Sequence, residues 1–510
     1  MQQAKPQKGI TALGTAAYSM SSLGRQATLA CVDIFYLSFL TIYMGLDVLV
    51  VTAAIVLIRV LDALANPLLA SVINNSRKGS WGRYRPWMMI GAACNSAALA
   101  LMFLPIGAAA PAPRHAYYIA MFLLWGLTFT LLDVPVWAMI PTIANTTEDR
   151  NKVTSMSRLV GSVGGFVVIS LGTSLVIPRV AAARGISWAH FALGLVAAGM
   201  LLIFISVTSL FARERFELPE NKIAAREVFG VFRENDQLAA HAISYLLLLA
   251  GITTANFQQI YIFIYYGDMG GLGLLSQGLG YTVFSVLSGL GMAFAMMFYQ
   301  RIVRKIPREK VYGASFFIAA SGMAATFLAF FALRGQYGSL GPEAAKWANV
   351  ALVALAALPI TTGAVLAQIG SAVMVADIAD YGEWKNGRRS DSVLFSVQTL
   401  LTKLTTAAAT LLVGAGLKAA NLPAITQRFN EALGAFEYLF VDEAGAAITT
   451  GALDILRVFM YLAPIPLCVA GFLVWRKKYW LHGERYARIK REVDARREAG
   501  LPISPRPPIQ

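Results

Sequence analysis

Two sets of polar or aromatic residues stand at positions i, i+3 and i+7 inside apolar segments: Arg59, Asp62 and Asn66, and Thr130, Asp133 and Trp137. This spacing predicts that each set lines one face of a helix. A hydroxyl-rich solute is held by carboxylates and guanidinium groups, which hydrogen-bond its hydroxyls, and by an aromatic plane against its apolar face. Asp133, Arg158 and Trp137 would supply these three parts.

Further polar residues occur in the neighbouring apolar segments. Gln26 and Asp33 are seven residues apart, which predicts an amide and a carboxylate on one stripe of a helix, and Arg25 and Lys403 add two cations. An ionisable side chain inside a span costs several kcal/mol unless it is paired or hydrated. These residues are therefore candidates for binding a polar solute or a cation, and Asp62 is the best placed for a cation.

The alternative is that the charges only hold helices together, as buried ion pairs can. Three pairings would serve structure alone: Arg59 with Asp62, Lys403 with Asp133, and Asp454 with Arg457. We favour the structural interpretation for Arg59 by itself and for the Asp454 pair. For the charged residues of the five spans taken together, we favour function.

The segments that carry these residues are long and apolar. Of the 510 residues, 57% are hydrophobic and 14% are charged, a composition that soluble domains of this length do not have. A membrane-spanning helix needs about 20 mostly apolar residues. Twelve such segments can be placed, at 11–44, 46–74, 86–106, 116–143, 153–178, 187–211, 238–266, 274–300, 311–333, 346–376, 392–418 and 450–475. Their apolar runs do not alternate as strands in lipid would, so we expect an all-α membrane protein.

The distribution of charge predicts orientation and domain organisation. With the N-terminus in the cytoplasm, 31 of the 43 Lys and Arg lie on that side and only 7 on the other, which places both termini inside. The net charge of +15 therefore does not indicate nucleic acid. Four parts are predicted: an N-terminal six-helix bundle at 1–212, a cytoplasmic linker at 213–237, a C-terminal six-helix bundle at 238–475 and a basic cytoplasmic tail at 476–510. Paired halves imply alternating access about a midplane site.

Helical structure is also predicted in two segments outside the spans, the C-terminal tail and the loop 419–449. In the tail, Arg485, Arg488 and Arg491 stand at helical spacing and predict a surface helix on anionic lipid headgroups, with no transport chemistry. The outward loop at 419–449 is long enough to hold a short helix. Nowhere does the sequence show a nucleophile with a base, a metal-binding cluster or a phosphate-binding loop, so neither an enzyme nor a nucleotide-driven pump is expected.

Several motifs occur in order between the first and the eleventh span: Asp62-Ala-Leu-Ala-Asn66-Pro67, Trp81-Gly-Arg83-Tyr-Arg85-Pro86-Trp87, Asp133-Val-Pro135-Val-Trp137, Ala376-Asp377-Ile-Ala-Asp380-Tyr381-Gly382-Glu383, and Ser396-Val-Gln398 followed by Lys403. Together they resemble the glycoside-pentoside-hexuronide:cation symporters of the major facilitator superfamily. The resemblance implies the major facilitator fold of twelve helices in two six-helix halves. It also implies symport of a sugar, glycoside or uronide with H⁺ or Na⁺ across the bacterial cytoplasmic membrane. No cofactor is implied, and the protein would act as a monomer among membrane lipids.

The resemblance also assigns roles by position. The family's sugar-contacting residues match Asp133, Trp137 and Arg158, with Lys403 near the same cavity, and its cation-site positions match Asp62 and Thr130. Its inner-face motif, which would gate or latch the halves, includes Arg83, Arg85, Asp377 and Asp380.

The chain departs from the family pattern at two ligand positions. Gln26 stands where an acidic sugar ligand is expected, and Asn66 replaces a second acidic cation ligand. With one carboxylate left, a proton on Asp62 or Asp33 suits the site better than sodium, and sodium at Asp62 and Thr130 is the alternative. Asp33 would supply the carboxylate that position 26 lacks.

Three alternatives remain open for the transported solute and the coupling. The cations Arg25, Arg158 and Lys403 would also accept an anionic uronide. The protein would be an uncoupled facilitator of the same solutes if the cation site is not functional, or a transporter of an amphiphile such as a lysolipid if the helices leave an apolar portal.

Overall fold

The computed structural model describes residues 11–74, 76–106, 110–144, 147–216, 234–266, 273–333, 343–387, 391–421, 426–430, 435–439 and 450–498. Each of the twelve predicted spans corresponds to one helix or to a run of consecutive helical segments, although the third helix ends at Met102 and not at 106. The α-helices of the first six spans are α1 Ala12–Cys31, α2 Val48–Asn74, α3 Tyr84–Met102, α4 Pro111–Ile143, α5 Thr147–Leu171, α6 Ile177–Arg184 and α7 Ile186–Phe211. Those of the remaining spans are α8 Asp236–Tyr266, α9 Gly273–Lys305, α10 Arg308–Ala332, α11 Glu343–Asn386, α12 Asp391–Ala420, α13 Thr450–Arg457 and α14 Ile465–Lys478. A last helix, α15 Gly483–Glu498, follows the twelfth span.

Several spans continue through π-helical turns, in which the backbone accommodates an extra residue. They lie at Val32–Tyr36 and Phe39–Tyr43 after α1, at Gly172–Val176 between α5 and α6, and at Val458–Leu462 between α13 and α14. Over the described ranges, nine helical segments are long and apolar enough to cross a membrane, and they correspond to predicted spans four to twelve. The first span is helical as well, but it carries Arg25, Gln26 and Asp33.

Two further features differ from the sequence expectation. The tenth span was expected to end at 376, but α11 runs to Asn386, so the Ala376–Glu383 motif is helical throughout. The prediction of a short helix in the loop 419–449 is wrong for the residues that the structure describes there. They form an antiparallel hairpin of β1, Thr426–Asn430, and β2, Ala435–Leu439, with Arg428 opposite Glu437.

The chain divides into two compact units. The first comprises 1–222 with 263–282 and 422–448, and the second comprises 223–262, 283–421 and 449–510. In the first unit α1 packs on α5 and α7, α3 packs on α4 and α7, and α2 packs on α4. In the second unit α10 packs on α11 and α14, and α15 packs on α11. The predicted linker at 213–237 falls largely on residues outside the described ranges, and the four-part division stays a prediction.

The crossing of α1 and α5 depends on glycine. A Cβ at Gly164 would lie 2.1 Å from the backbone oxygen of Leu23, and one at Gly161 would lie 2.9 Å from Cγ of Gln26. Small residues allow two membrane helices to approach closely. The Gly-rich stretch 161–165 therefore brings α5 directly against the part of α1 that carries Arg25 and Gln26.

We expect Gly164→Ala to destabilise the fold by about 1–3 kcal/mol or more, because the added methyl group meets backbone that cannot move aside. The matched control is Gly199→Ala in α7, where a Cβ would have nothing within 4 Å. Thermal unfolding in detergent should show a clearly lower Tm for Gly164→Ala only. Equal Tm values for the two variants would contradict the close crossing.

Candidate functional site

The first element of the site is an ion pair that joins α1 to α4. The guanidinium of Arg25 donates a hydrogen bond to Oδ1 of Asp133. It also lies over the ring of Trp137, with its central carbon 4.6 Å from the ring centroid. Asp133 and Trp137 are one helical turn apart on α4, so Arg25 reaches both. The structure thus brings together a carboxylate, a guanidinium and an aromatic plane, although the guanidinium is Arg25 and not Arg158.

The second element is an ion pair between α1's π-helical extension and α2. Arg59 donates to Oδ1 of Asp33 across 2.6 Å. Its guanidinium carbon lies 5.4 Å from the ring centroid of Phe122 and 5.3 Å from that of Trp125. The side chain of Arg59 is 9% exposed and that of Asp33 is 24% exposed, so the carboxylate keeps some access to solvent. The carboxylate that Arg59 meets is therefore Asp33, not the Asp62 of the structural alternative.

Gln26 and Asp33 do not reach one common site, because the first span meets α5 at Gln26 and α2 at Asp33. Asp33 is the second residue of the π-helical turn Val32–Tyr36. Gln26 lies against Gly161 of α5, whereas Asp33 points to Arg59 of α2. The residues of the first span that meet the site's charges are thus Arg25 and Asp33.

The third element is a hydrogen bond between α2 and α4. The hydroxyl of Thr130 donates to Oδ1 of Asp62 across 2.6 Å, and both residues are almost fully buried. Gly126 lies one turn before Thr130, where a Cβ would be only 3.7 Å from Cγ of Asp62. Asn66, one turn further along α2, is half-buried. Asp62 and Thr130 therefore provide two adjacent oxygens in the first unit.

Helix α4 contributes residues to all three elements, and it contains two prolines near them. Pro135 and Pro141 are inside the helix. Proline has no N–H, so the carbonyls of Leu131 and Trp137 receive no hydrogen bond from the position four residues on. Such positions weaken and bend a helix; Pro135 lies within the Asp133–Trp137 turn and Pro141 lies one turn after it. On the same stretch, the buried hydroxyl of Tyr18 donates to the carbonyl of Val136, which fixes α1 against α4.

Arg158 and Lys403 are the two other cations among the predicted site residues. Arg158 is exposed on α5, beside the buried Ser157 whose hydroxyl is 3.3 Å from that of Ser19. Lys403 is half-buried on α12, which belongs to the second unit. The structure therefore assembles Arg25, Asp133 and Trp137, and it leaves Arg158 outside the group.

The inner-face arginines stabilise a junction inside the first unit. The carboxylate of Glu214 accepts hydrogen bonds from the backbone N–H of Arg83, at 3.0 Å, and of Tyr84, at 2.8 Å, and so caps the start of α3. The side chain of Arg85 donates to the carbonyls of Ser209 and Leu210 at the end of α7. A Cβ at Gly82, whose φ is +95°, would lie 2.5 Å from Glu214. These contacts explain the Gly-Arg-Tyr-Arg sequence.

The inner-face carboxylates have partners in the second unit. Asp377 forms an ion pair with Arg308 at 3.0 Å. Asp380 accepts hydrogen bonds from the hydroxyl of Tyr486 at 3.1 Å and from Nζ of Lys490 at 3.4 Å. Burial raises the pKa of Tyr486, and the carboxylate of Asp377 raises it further, so its phenol keeps the proton that it donates.

Sequence reasoning missed Glu214, Arg308, Tyr486 and Lys490 as partners of these motifs. All four are far from the motifs in the sequence: 131 residues separate Glu214 from Arg83, and 106 separate Tyr486 from Asp380. Only the opposite charges of Glu214 and Arg308 to the motifs they contact could have indicated a pairing. The local ion pair between Asp454 and Arg457 is confirmed, at 2.6 Å.

We expect Asp33→Asn to destabilise the protein by about 3–5 kcal/mol, because it leaves the buried Arg59 without its carboxylate. The double variant Asp33→Asn with Arg59→Gln removes both charges and should recover most of the loss. Thermal unfolding of the two single variants, the double variant and the wild type tests this coupling. If the double variant is no more stable than Asp33→Asn alone, the two residues do not act as a pair.

Comparison with known proteins agrees with this architecture. A family model described as MFS/sugar transport protein matches residues 17–479. The chain is 22% identical to a lactose permease of Lactobacillus delbrueckii subsp. bulgaricus, over 94% of the chain and 72% of that protein. It is also 22% identical to a raffinose carrier protein of Pediococcus pentosaceus, over 94% of the chain and 71% of that protein.

The fold has solved counterparts. The crystal structure of the nucleoside transporter NupG is similar with a TM-score of 0.59 and 12% identity, covering 91% of this chain and 100% of that one. Together with the apolar helices, these findings identify a multi-pass membrane transporter and not an enzyme. The chain belongs to the MFS/sugar transport protein family, and within the major facilitator superfamily to the group of glycoside-pentoside-hexuronide symporters.

Proposed function

We propose that this protein carries a sugar, glycoside or uronide across the bacterial cytoplasmic membrane in symport with a cation, with both termini in the cytoplasm. The observation that carries the proposal is the group of Arg25, Asp133 and Trp137. The family and the relatives named as lactose and raffinose carriers support a sugar as the solute.

The geometry of this group matches the chemistry of a sugar. Sugar hydroxyls both donate and accept hydrogen bonds, and a paired carboxylate and guanidinium offer both functions at one place. Trp137 adds a plane for the apolar face of the ring. Arg25 contacts both Asp133 and Trp137. A sugar that binds here therefore exchanges hydrogen bonds with an ion pair that already exists, and no unpaired charge is left in the bundle. Net neutrality of the pair favours a neutral sugar over a uronide.

The coupling ion is proposed to bind at Asp62. Its carboxylate lies beside the Thr130 hydroxyl, and both α2 and α4 also carry residues of the sugar group or its neighbouring ion pair. Asn66 stands where the family resemblance predicts a second acidic ligand, so one carboxylate fewer is available for sodium. A proton needs only the carboxylate and is the proposed ion.

We expect Asp62→Asn to abolish gradient-driven accumulation while sugar counterflow persists, because the amide removes the titrating group but leaves the sugar residues in place. The measurement is uptake of a radiolabelled glycoside and uronide panel into proteoliposomes under imposed pH or sodium gradients. The matched control is Asp47→Asn at the start of the same helix. Asp47 accepts hydrogen bonds from the N–H groups of Leu49 and Val50, a capping role that asparagine also fills.

Three outcomes of this experiment would change the proposal. Simple equilibration in the wild type, with Asp62→Asn unchanged, indicates an uncoupled facilitator. Inhibition of uptake by a lysolipid and not by sugars indicates the amphiphile alternative. Accumulation driven by sodium alone replaces the proton with sodium at Asp62 and Thr130.

A further inference from the structure

The tail helix α15 has two faces of different chemistry. Tyr486, Ile489 and Val493 stand at i, i+3 and i+7 and face the protein, with Ile489 4% and Val493 0% exposed. Arg485, Arg488 and Arg491 also stand three residues apart and are exposed. The helix is therefore docked by an apolar stripe and presents arginines on its other side.

The docked face reaches the inner-face carboxylates of α11. Besides the two hydrogen bonds to Asp380, the ring of Tyr486 lies 5.2 Å from the guanidinium carbon of Arg308, which is paired with Asp377. One turn further along α11, the indole N–H of Trp384 donates to Glu492 at 3.0 Å. The same face of the tail helix thus meets Arg308, the partner of Asp377, then Asp380, and then Trp384 just beyond the motif.

The segment between α14 and α15 keeps the tail helix at this position. Tyr479 and Leu481 are buried, and the backbone N–H of Trp480 donates to the side chain of Gln237 at 3.0 Å. The ring of Trp480 also lies 5.3 Å from that of Tyr381 on α11. The last membrane span ends at Lys478, shortly before α15 begins at Gly483, so the tail helix starts close to the membrane surface.

Exposed basic residues are concentrated in this region. Arg476, Lys477 and Lys478 are exposed in the last turn of α14, immediately before the arginine face of α15. The side chain of Arg488 is 78% exposed and forms an ion pair with Glu492 at 3.2 Å. The first turn of α15 also carries one exposed acidic residue, Glu484. Four to eight Lys and Arg directly beyond a membrane span are a typical binding surface for anionic lipid headgroups.

We propose that α15 connects anionic lipid to the inner-face motif. Its arginine face, together with the end of α14, binds anionic headgroups, and this contact stabilises the docked helix and its hold on Asp377 and Asp380. Charge complementarity and the short distance from the last span favour the membrane surface as the partner. Lipid charge would then set how firmly α15 is held on α11, whatever solute is transported.

The test measures docking of α15 and does not depend on transport. Hydrogen–deuterium exchange of the full-length protein is followed in nanodiscs of phosphatidylcholine alone and with about one third phosphatidylglycerol. We expect the α15 amides to exchange on the order of tenfold more slowly with phosphatidylglycerol, which corresponds to about 1.4 kcal/mol, the gain of about one to two basic residues at an anionic surface. The double variant Arg485→Gln with Arg491→Gln should lose most of this difference.

The matched control is Arg179→Gln with Arg184→Gln, which removes the same charge from exposed positions of α6 and should keep the full lipid effect. Tyr486→Phe should raise α15 exchange in both lipids, because it removes the hydrogen bond to Asp380. Equal α15 exchange in the two lipids, or a full lipid effect in the Arg485 and Arg491 variant, would overturn the proposal. So would equal protection by soluble polyglutamate in phosphatidylcholine nanodiscs, which would identify an acidic polymer as a sufficient partner. Failure of sugar uptake would leave this result unaffected.

Discussion

A guanidinium group inside a membrane protein has to keep a carboxylate within reach, because its desolvation costs several kcal/mol. Arg25 and Arg59 meet this condition with Asp133 and Asp33, and each also lies over aromatic rings. The two pairs tie α1 to α4 and its π-helical extension to α2, so the relative positions of three helices depend on them. A solute that enters this group has to replace the hydrogen bonds that it displaces, which is why a molecule rich in hydroxyls suits it.

The helices were predictable because lipid leaves a long apolar segment little other choice. The sets on α2 and α4 were predictable for the same geometric reason, since residues three and seven apart share a face. The partners of the charged residues could not be predicted in this way. Spacing offered Arg59 a partner at i+3, Asp62, but the structure pairs it with Asp33, 26 residues earlier in the chain, and no local pattern predicts that contact. The pairing of Arg25 with Asp133 spans 108 residues and follows from tertiary packing.

The inner-face motif shows the same limit on a larger scale. Its carboxylates were recognisable from the sequence, but their contacts with α15 come from the end of the chain. Helical spacing in the tail indicated the arginine face, whereas nothing in the sequence indicated that the stripe of Tyr486, Ile489 and Val493 would pack on α11. One face of α15 packs on α11 and the other carries exposed arginines, so the helix connects the motif to the surface of the protein.

The most direct test of the account is whether Arg25 and Asp133 bind the sugar. Isothermal titration of the best-transported glycoside into detergent-purified protein should compare the wild type with the double variant Arg25→Gln and Asp133→Asn, which leaves no charge unpaired. We predict an affinity lower by about tenfold or more at a nearly unchanged Tm, because hydrogen bonds to charged groups contribute about 1.5–3 kcal/mol. An affinity equal to that of the wild type would contradict the central claim and assign the pair to structure alone.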